Sequence, residues 1–350
     1  MFKRKIYSKL LSWKEESNGN TALLIEGARR IGKSTVVESF AKNEYQSYIL
    51  IDFSTVSKSI KALFEDISDL DYLFLQLQLQ YKVDLHERNS LIIFDEVQLC
   101  PLARQAIKSL VKDHRYDYIE TGSLISIKKN IQNILIPSEE RKLSMYPMDY
   151  EEFLWALGDH TTTALVRKLF DSHHPIGDKL HRKLMRDFRL YMLVGGMPMP
   201  VVAFIESKKD FTEADKEKRD ILKLYREDIM KIDMRYRSKV LAIYDQIPGF
   251  LSQHEKRVVF KKLQDGSYAD QYEETFFWLS DSMISNECFL CNDPNVGLSL
   301  NATRSYVKCY MGDTGLLVSH AFDENELLED EVYKQILAGK LQINEGMLYE

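Results

Sequence analysis

The chain has 350 residues, with Lys plus Arg at 47 and Asp plus Glu at 53, a formal net charge of −6. At about 100–200 residues per domain that length predicts two or three domains, and 45% hydrophobic residues exclude wholesale disorder. The acidic balance argues against a general polyanion binder, and four cysteines (Cys100, Cys288, Cys291, Cys309) are too few for a disulfide framework.

The N-terminus, MFKRKIYSKLLSWKEES, lacks the uninterrupted apolar core and small-residue cleavage site of a signal peptide. Ile6, Leu10, Leu11 and Trp13 predict one face of an opening helix. No run approaches eighteen apolar residues, so no membrane span is expected, and a cytoplasmic setting is. Residues 21–25 (TALLI) predict a strand that ends at Glu26-Gly27, and Val36, Val37 and Phe40 a helix after it. Residues 47–53 predict a second strand. The stretch from Leu70 to Gln80 fits both a helical and an alternating pattern. Helix is preferred, because a crossover must precede the next strand. Residues 91–94 (LIIF) predict a third strand ending at Asp95-Glu96, Pro101 opens a helix to about His114, and residues 116–120 predict a fourth strand ending at Thr121-Gly122-Ser123. Strands alternating with helices predict a parallel sheet covered on both faces.

After about residue 145 the pattern turns helical, at 149–158, 178–193 and 211–233, with breaks at 173–177 and at the Gly- and Pro-rich 194–200. Residues 254–264 and 270–283 predict helices, and Glu287–Cys291 with Ser305–Met311 the two strands of a wing. The expected domains are 1–145, a helical 146–235, a winged-helix-like 236–320, and 321–350 as the start of a further domain cut short at Glu350.

Gly27-Ala28-Arg29-Arg30-Ile31-Gly32-Lys33-Ser34 matches G-x-x-x-x-G-K-[ST], and Thr35 follows. A chance match in a chain of this length arises about 1% of the time. Its glycines let backbone N–H groups turn inward around phosphate oxygens, Lys33 reaches the β- and γ-phosphates, and Ser34 offers a hydroxyl to Mg²⁺. The helix starting near Lys33 aims its N-terminal dipole at the same anion. A carboxylate ending a buried strand needs a cation. Asp95 is therefore expected to help Ser34 hold Mg²⁺, with Glu96 as general base toward water. Helix capping is the plainer reading of that acidic pair. Thr121 or Ser123 could sense the γ-phosphate from the next strand end, or cap a turn.

Together these residues resemble a large bacterial and archaeal family of AAA-type ATPases, with its GxRRxGKT loop, its strand ending in DExQ (Asp95–Gln98) and its strand ending in TGS. Leu143–Phe153 (LSMYPMDYEEF), Tyr191–Pro198 (YMLVGGMP), Tyr225–Lys231 (YREDIMK) and Lys308–Leu317 (KCYMGDTGLL) are similar to further stretches of that family. The resemblance implies a P-loop NTPase sheet with helices on both faces, ATP and Mg²⁺ as ligands, and a C-terminal restriction-endonuclease-like domain. The chain departs from the family in Glu140-Arg141, where a Gly-Arg pair is common. Arg141 could reach a phosphate in a neighbouring subunit, or pair at the surface with Glu139 or Glu140.

Other clusters have plainer readings. Cys288-Phe289-Leu290-Cys291 lacks a second close pair, so its cysteines are expected as small core residues rather than zinc ligands. His173, His174 and His181 flank a break, and Lys208–Arg219 reads as a solvated face. Lys256, Arg257, Lys261 and Lys262 could meet phosphates, although a solvated face explains them too. The function expected is a Mg²⁺-dependent ATPase, adenine being preferred because no N-K-x-D motif occurs. The alternatives are a nucleotide-gated switch and a P-loop phosphotransferase. Self-association and a protein or DNA partner stay open.

Overall fold

The computed structural model describes residues 2–122, 137–263, 269–293, 297–322 and 328–339. The chain divides into two compact units, Met1–Tyr146 and Pro147–Glu350.

In the first unit α1 (Ile6–Ser17) precedes β1 (Ala22–Glu26), α2 (Lys33–Glu44) and β2 (Ser47–Asp52). Then come α3 (Lys58–Ala62), α4 (Leu70–Tyr81), β3 (Ser90–Asp95), α5 (Pro101–Asp113), β4 (Asp117–Gly122) and β5 (Glu140–Ser144). The strands form one parallel sheet in the order β2-β3-β4-β1-β5. Parallel strands need crossovers, and α4 supplies part of one. Leu73, Phe74 and Leu77 are buried while Leu75 and Leu79 are exposed, which is helical and not alternating periodicity. Asp69 caps that helix, accepting from Tyr72 N at 2.9 Å. One face of the sheet packs Leu24, Ile49, Ile51, Ile92, Phe94 and Tyr118 against α3, α4 and α5.

The strand β5 was not legible in the sequence. Its residues, ERKLS, hold one apolar side chain, because among the described residues it is an edge strand that pairs with β1 alone. The side chain of its first residue, Glu140, is nevertheless buried. Arg104 of α5 grips Glu140 bidentately at 2.9 and 2.8 Å, with both side chains out of solvent.

The second unit contains α6 (Tyr150–Ala156), α7 (Thr162–Asp171), α8 (Asp178–Val194), α9 (Pro198–Glu206), α10 (Phe211–Met230) and α11 (Met234–Leu251). After them come α12 (Phe260–Leu263), α13 (Glu273–Asp281), antiparallel β6 (Ser285–Cys291) and β7 (Ala302–Met311), α14 (Thr314–Ala321) and α15 (Asp330–Leu337). This is a mostly helical region with a small, winged-helix-like antiparallel sheet. Three stretches of the family resemblance meet inside it. Asp313, the N-cap of α14, accepts from Gly196 N at 2.6 Å. Gly196 O accepts from Met148 N at 2.7 Å, and the Tyr191 hydroxyl donates to Met148 O at 2.9 Å.

Several expectations differ from what forms. Pro198 starts α9 instead of extending a loop, since its fixed φ suits the first helical position. Helix over 254–264 shrinks to Phe260–Leu263, because Val258 N donates to Val307 O of β7 and holds the chain beside the hairpin. Cys309 is buried as expected of a core residue, whereas Cys288 is exposed. Ser123 and the Asn344–Glu350 segment lie outside the described residues. Among the described residues no single helix is long and apolar enough to cross a membrane.

Candidate nucleotide site

The site forms where β1, β3 and β4 end. The chain leaves β1 at Glu26, turns through Gly27–Gly32 and enters α2 at Lys33. Gly32, the N-cap of α2, has φ +89°, a left-handed conformation that a side chain disfavours. At Gly27 a Cβ would run into the Met145 carbonyl, so packing alone demands glycine there. Ala28 and Ile31 are buried, Arg29 is half-buried, and Arg30 and Thr35 are exposed.

Lys33 is buried and folded back on its own loop, donating to Gly27 O at 2.9 Å and Ala28 O at 2.7 Å. Burial lowers its pKa to about 8, while the Glu96 and Asp95 carboxylates push it the other way. The ammonium is thus held beside the loop by carbonyls that a phosphate can replace.

The sheet inserts β4 between β1 and β3, the strand of Asp95. That insertion brings Thr121 to the centre of the cluster. Asp95 Oδ1 accepts from Ser34 Oγ at 2.9 Å and also from Thr121 Oγ1. The Ser34 and Thr121 hydroxyls, from two distant segments, therefore meet on one oxygen of Asp95. Glu96 follows in left-handed backbone, φ +52°, and its Oε2 accepts from Gln98 Nε2.

Arg141 is not assembled with this cluster in its own chain. It lies on β5 level with Leu23, near the opposite end of β1 from the loop, and its side chain is 53% exposed. Its partner is Glu16 at 3.6 Å, not Glu139 or Glu140, because Glu140 is taken by Arg104.

Two residues that brace the site carry no sequence signal specific enough to find them. Arg4 is buried and donates to Ile31 O at 3.0 Å and Tyr146 O at 2.7 Å, tying the loop to the segment after β5. In sequence it is one cation in a basic run. Glu120, beside Thr121 in β4, is wholly buried, and neither oxygen has a donor among the described residues. Burial, and then the neighbouring Glu140 carboxylate, push its carboxyl well above the ordinary range, against the pull of Arg104. In its protonated form it can donate to Glu140.

A folded-state pKa above the unfolded value stabilises fully below the unfolded pKa, and that stability is lost as pH rises through the folded pKa. Glu120→Gln keeps a donor and cannot ionise. Its Tm is expected to match wild type near pH 4 and exceed it by roughly 2–4 °C at pH 8, the shift that about 1 kcal/mol produces in a domain of this size. Thermal melts across that range check it, and a constant or negative difference would show that Glu120 carries no pH-dependent cost.

A model described as an AAA domain matches residues 19–154, and a domain of unknown function (DUF8612) matches residues 185–326. No curated protein matches the chain. Among solved structures, a Walker-type ATPase of Pyrococcus abyssi is 16% identical, with a TM-score of 0.47, over 91% of this chain and 96% of that one. The Holliday junction branch migration motor RuvB of Thermotoga maritima is 12% identical, with a TM-score of 0.32, over 81% and 89%. A STAND protein of Pyrococcus horikoshii with a tetratricopeptide repeat sensor is 14% identical, with a TM-score of 0.34, over 98% of this chain and 46% of that one. The matched AAA domain and the loop–carboxylate geometry give the N-terminal unit a P-loop AAA+ ATPase-like fold, and a helical and small-sheet region of separate character follows it.

Proposed function

We propose that the protein binds Mg·ATP at Gly27–Ser34 and hydrolyses it to ADP and phosphate. The observation that supports this best is the convergence of Ser34 and Thr121 on Asp95 Oδ1 at the mouth of the loop. Two hydroxyls and a carboxylate are the hard oxygen donors that Mg²⁺ prefers. Ser34 and Asp95 would hold the ion, whose chemistry is to neutralise charge on the β- and γ-phosphate oxygens. Lys33 exchanges its carbonyl partners for those oxygens, and the N–H groups of the loop and of the first turn of α2 surround them. Glu96 takes the proton of the attacking water as its oxygen bonds to the γ-phosphorus. The bond from that phosphorus to the β–γ bridging oxygen breaks, and the electron pair leaves with ADP. Thr121, bonded to Asp95, stands where loss of the γ-phosphate is felt. In this reading 1–145 is the ATPase domain, 146–235 the helical domain and 236–320 the winged-helix-like one, in an ATP-rich cytoplasm. Phosphate release with Mg·ATP, Mg·GTP and ATP plus EDTA tests it. Turnover is expected with Mg·ATP and is expected to vanish with EDTA. Release unaffected by EDTA counts against the proposed metal ligands.

One observation favours a second reading, a nucleotide-gated switch. The Gln98 amide already engages Glu96 Oε2, so the base is held before nucleotide arrives. Slow turnover that cell extract accelerates supports the switch, whereas fast turnover by the purified chain supports the autonomous enzyme.

Arg141 enters this reading as a surface residue. Arg141→Ala is expected to change unfolding stability by less than about 1 kcal/mol, the scale of an exposed ion pair, and to leave turnover flat with protein concentration. Recovery of turnover on mixing Arg141→Ala with Lys33→Ala chains would instead assign it to a neighbouring copy's site.

A further inference from the structure

The winged-helix-like region carries a groove that the nucleotide chemistry does not use. It has a volume of about 880 Å³ and lies between α13 and the start of α11. Tyr236 and Trp278 line it, and Phe277, 66% exposed, stands beside them. Met234, in the first turn of α11, is 80% exposed. Glu273, Glu274 and Asp281 complete the wall, and no Lys or Arg is among its described lining residues, although the Arg235 guanidinium lies 5.6 Å from the centre of the Tyr236 ring. Glu273 pairs with Arg304 of β7, and the Tyr236 hydroxyl bonds Glu274, so two of the carboxylates are held in place.

The position of α13 makes this composition informative. It is the helix immediately before the β6–β7 hairpin, and in a helix-turn-helix arrangement the second helix is the one offered to a DNA groove. Its sequence, EETFFWLSD, has three carboxylates and no cation. A helix of that sequence repels phosphates, and it carries none of the Lys and Arg donors that bind backbone and bases. Aromatic side chains in a groove walled by carboxylates instead complement an apolar anchor flanked by cations, through burial, cation–π contact and charge.

We propose that this groove docks a cationic, apolar-anchored segment of a partner protein, and that α13 is a protein-docking helix and not a nucleic-acid reader. The mode does not depend on nucleotide, so it stands or falls apart from the ATPase reading.

The test uses the full chain and a labelled amphipathic peptide of leucine and lysine, followed by fluorescence anisotropy. A leucine–glutamate peptide of the same pattern and a labelled DNA duplex serve as comparisons. The leucine–lysine peptide is expected to bind saturably. Its affinity should fall at least about tenfold in Phe277→Ala and in each of Glu274→Lys and Asp281→Lys, and hold in Glu213→Lys, the same charge change on the first turn of α10. These side chains are at least partly solvent-exposed, and circular dichroism confirms that each variant folds. Equal loss in all variants, no saturable binding, or duplex binding that the groove variants abolish would overturn the proposal. Self-association that the same substitutions abolish would give the groove to a second copy and overturn it too.

Discussion

Glu96→Gln is expected to bind Mg·ATP as wild type does and to hydrolyse it at least ~100-fold more slowly, the scale of general-base catalysis. The substitution keeps the shape of the side chain and an oxygen for the Gln98 amide, while removing the group that takes the water's proton. Binding and chemistry therefore separate in one variant. Single-turnover hydrolysis beside equilibrium binding checks both halves. Wild-type turnover in Glu96→Gln would return Glu96 to the plainer role of an acidic residue at a strand end.

Lys33→Ala is expected to weaken Mg·ATP binding by roughly 30–150-fold, from the loss of about 2–3 kcal/mol of charge-assisted contact. The buried ammonium adds a pH dependence whose sign is fixed. Its pKa of about 8 in the free protein means that it is charged below that pH and increasingly neutral above it. Only the charged form attracts phosphate oxygens, so wild-type affinity is expected to fall as pH rises past about 8. Lys33→Ala should lack that decline. Calorimetric titrations from pH 7 to 9 measure both, and an unchanged affinity in the variant would remove Gly27–Ser34 from the phosphate site.

The part of the fold legible in sequence is the part with strong local periodicity. Each strand from β1 to β4 is a short run with at least two buried apolar residues ended by Gly or an acid, and each was placed within a residue or two. The edge strand β5 was hidden because an edge needs no apolar run, and its buried Glu140 is intelligible only once Arg104 of α5 is beside it. The candidate site was legible as residue types at the right spacing, which named Ser34, Asp95 and either Thr121 or Ser123 from three distant segments. Their meeting on one oxygen required the strand order, since β4 has to enter between β1 and β3. Arg4 and Glu120 escaped because a basic run and an acid inside a strand say nothing of the burial that gives them their roles. The α7 helix escaped although Leu165, Val166, Leu169 and Phe170 recur at helical spacing in it; among its residues only Thr162 is buried.

The most direct measurement is calorimetric titration of the wild-type chain with ATP in the presence of Mg²⁺, with ADP as competitor. The expected result is saturable binding at one site per chain, with an affinity between about 1 μM and 1 mM, the range in which enzymes commonly hold substrates. ADP should displace the ATP. A chain that takes up no ATP across that range, or binds it equally well with Lys33 replaced by Ala, would contradict nucleotide binding at Gly27–Ser34.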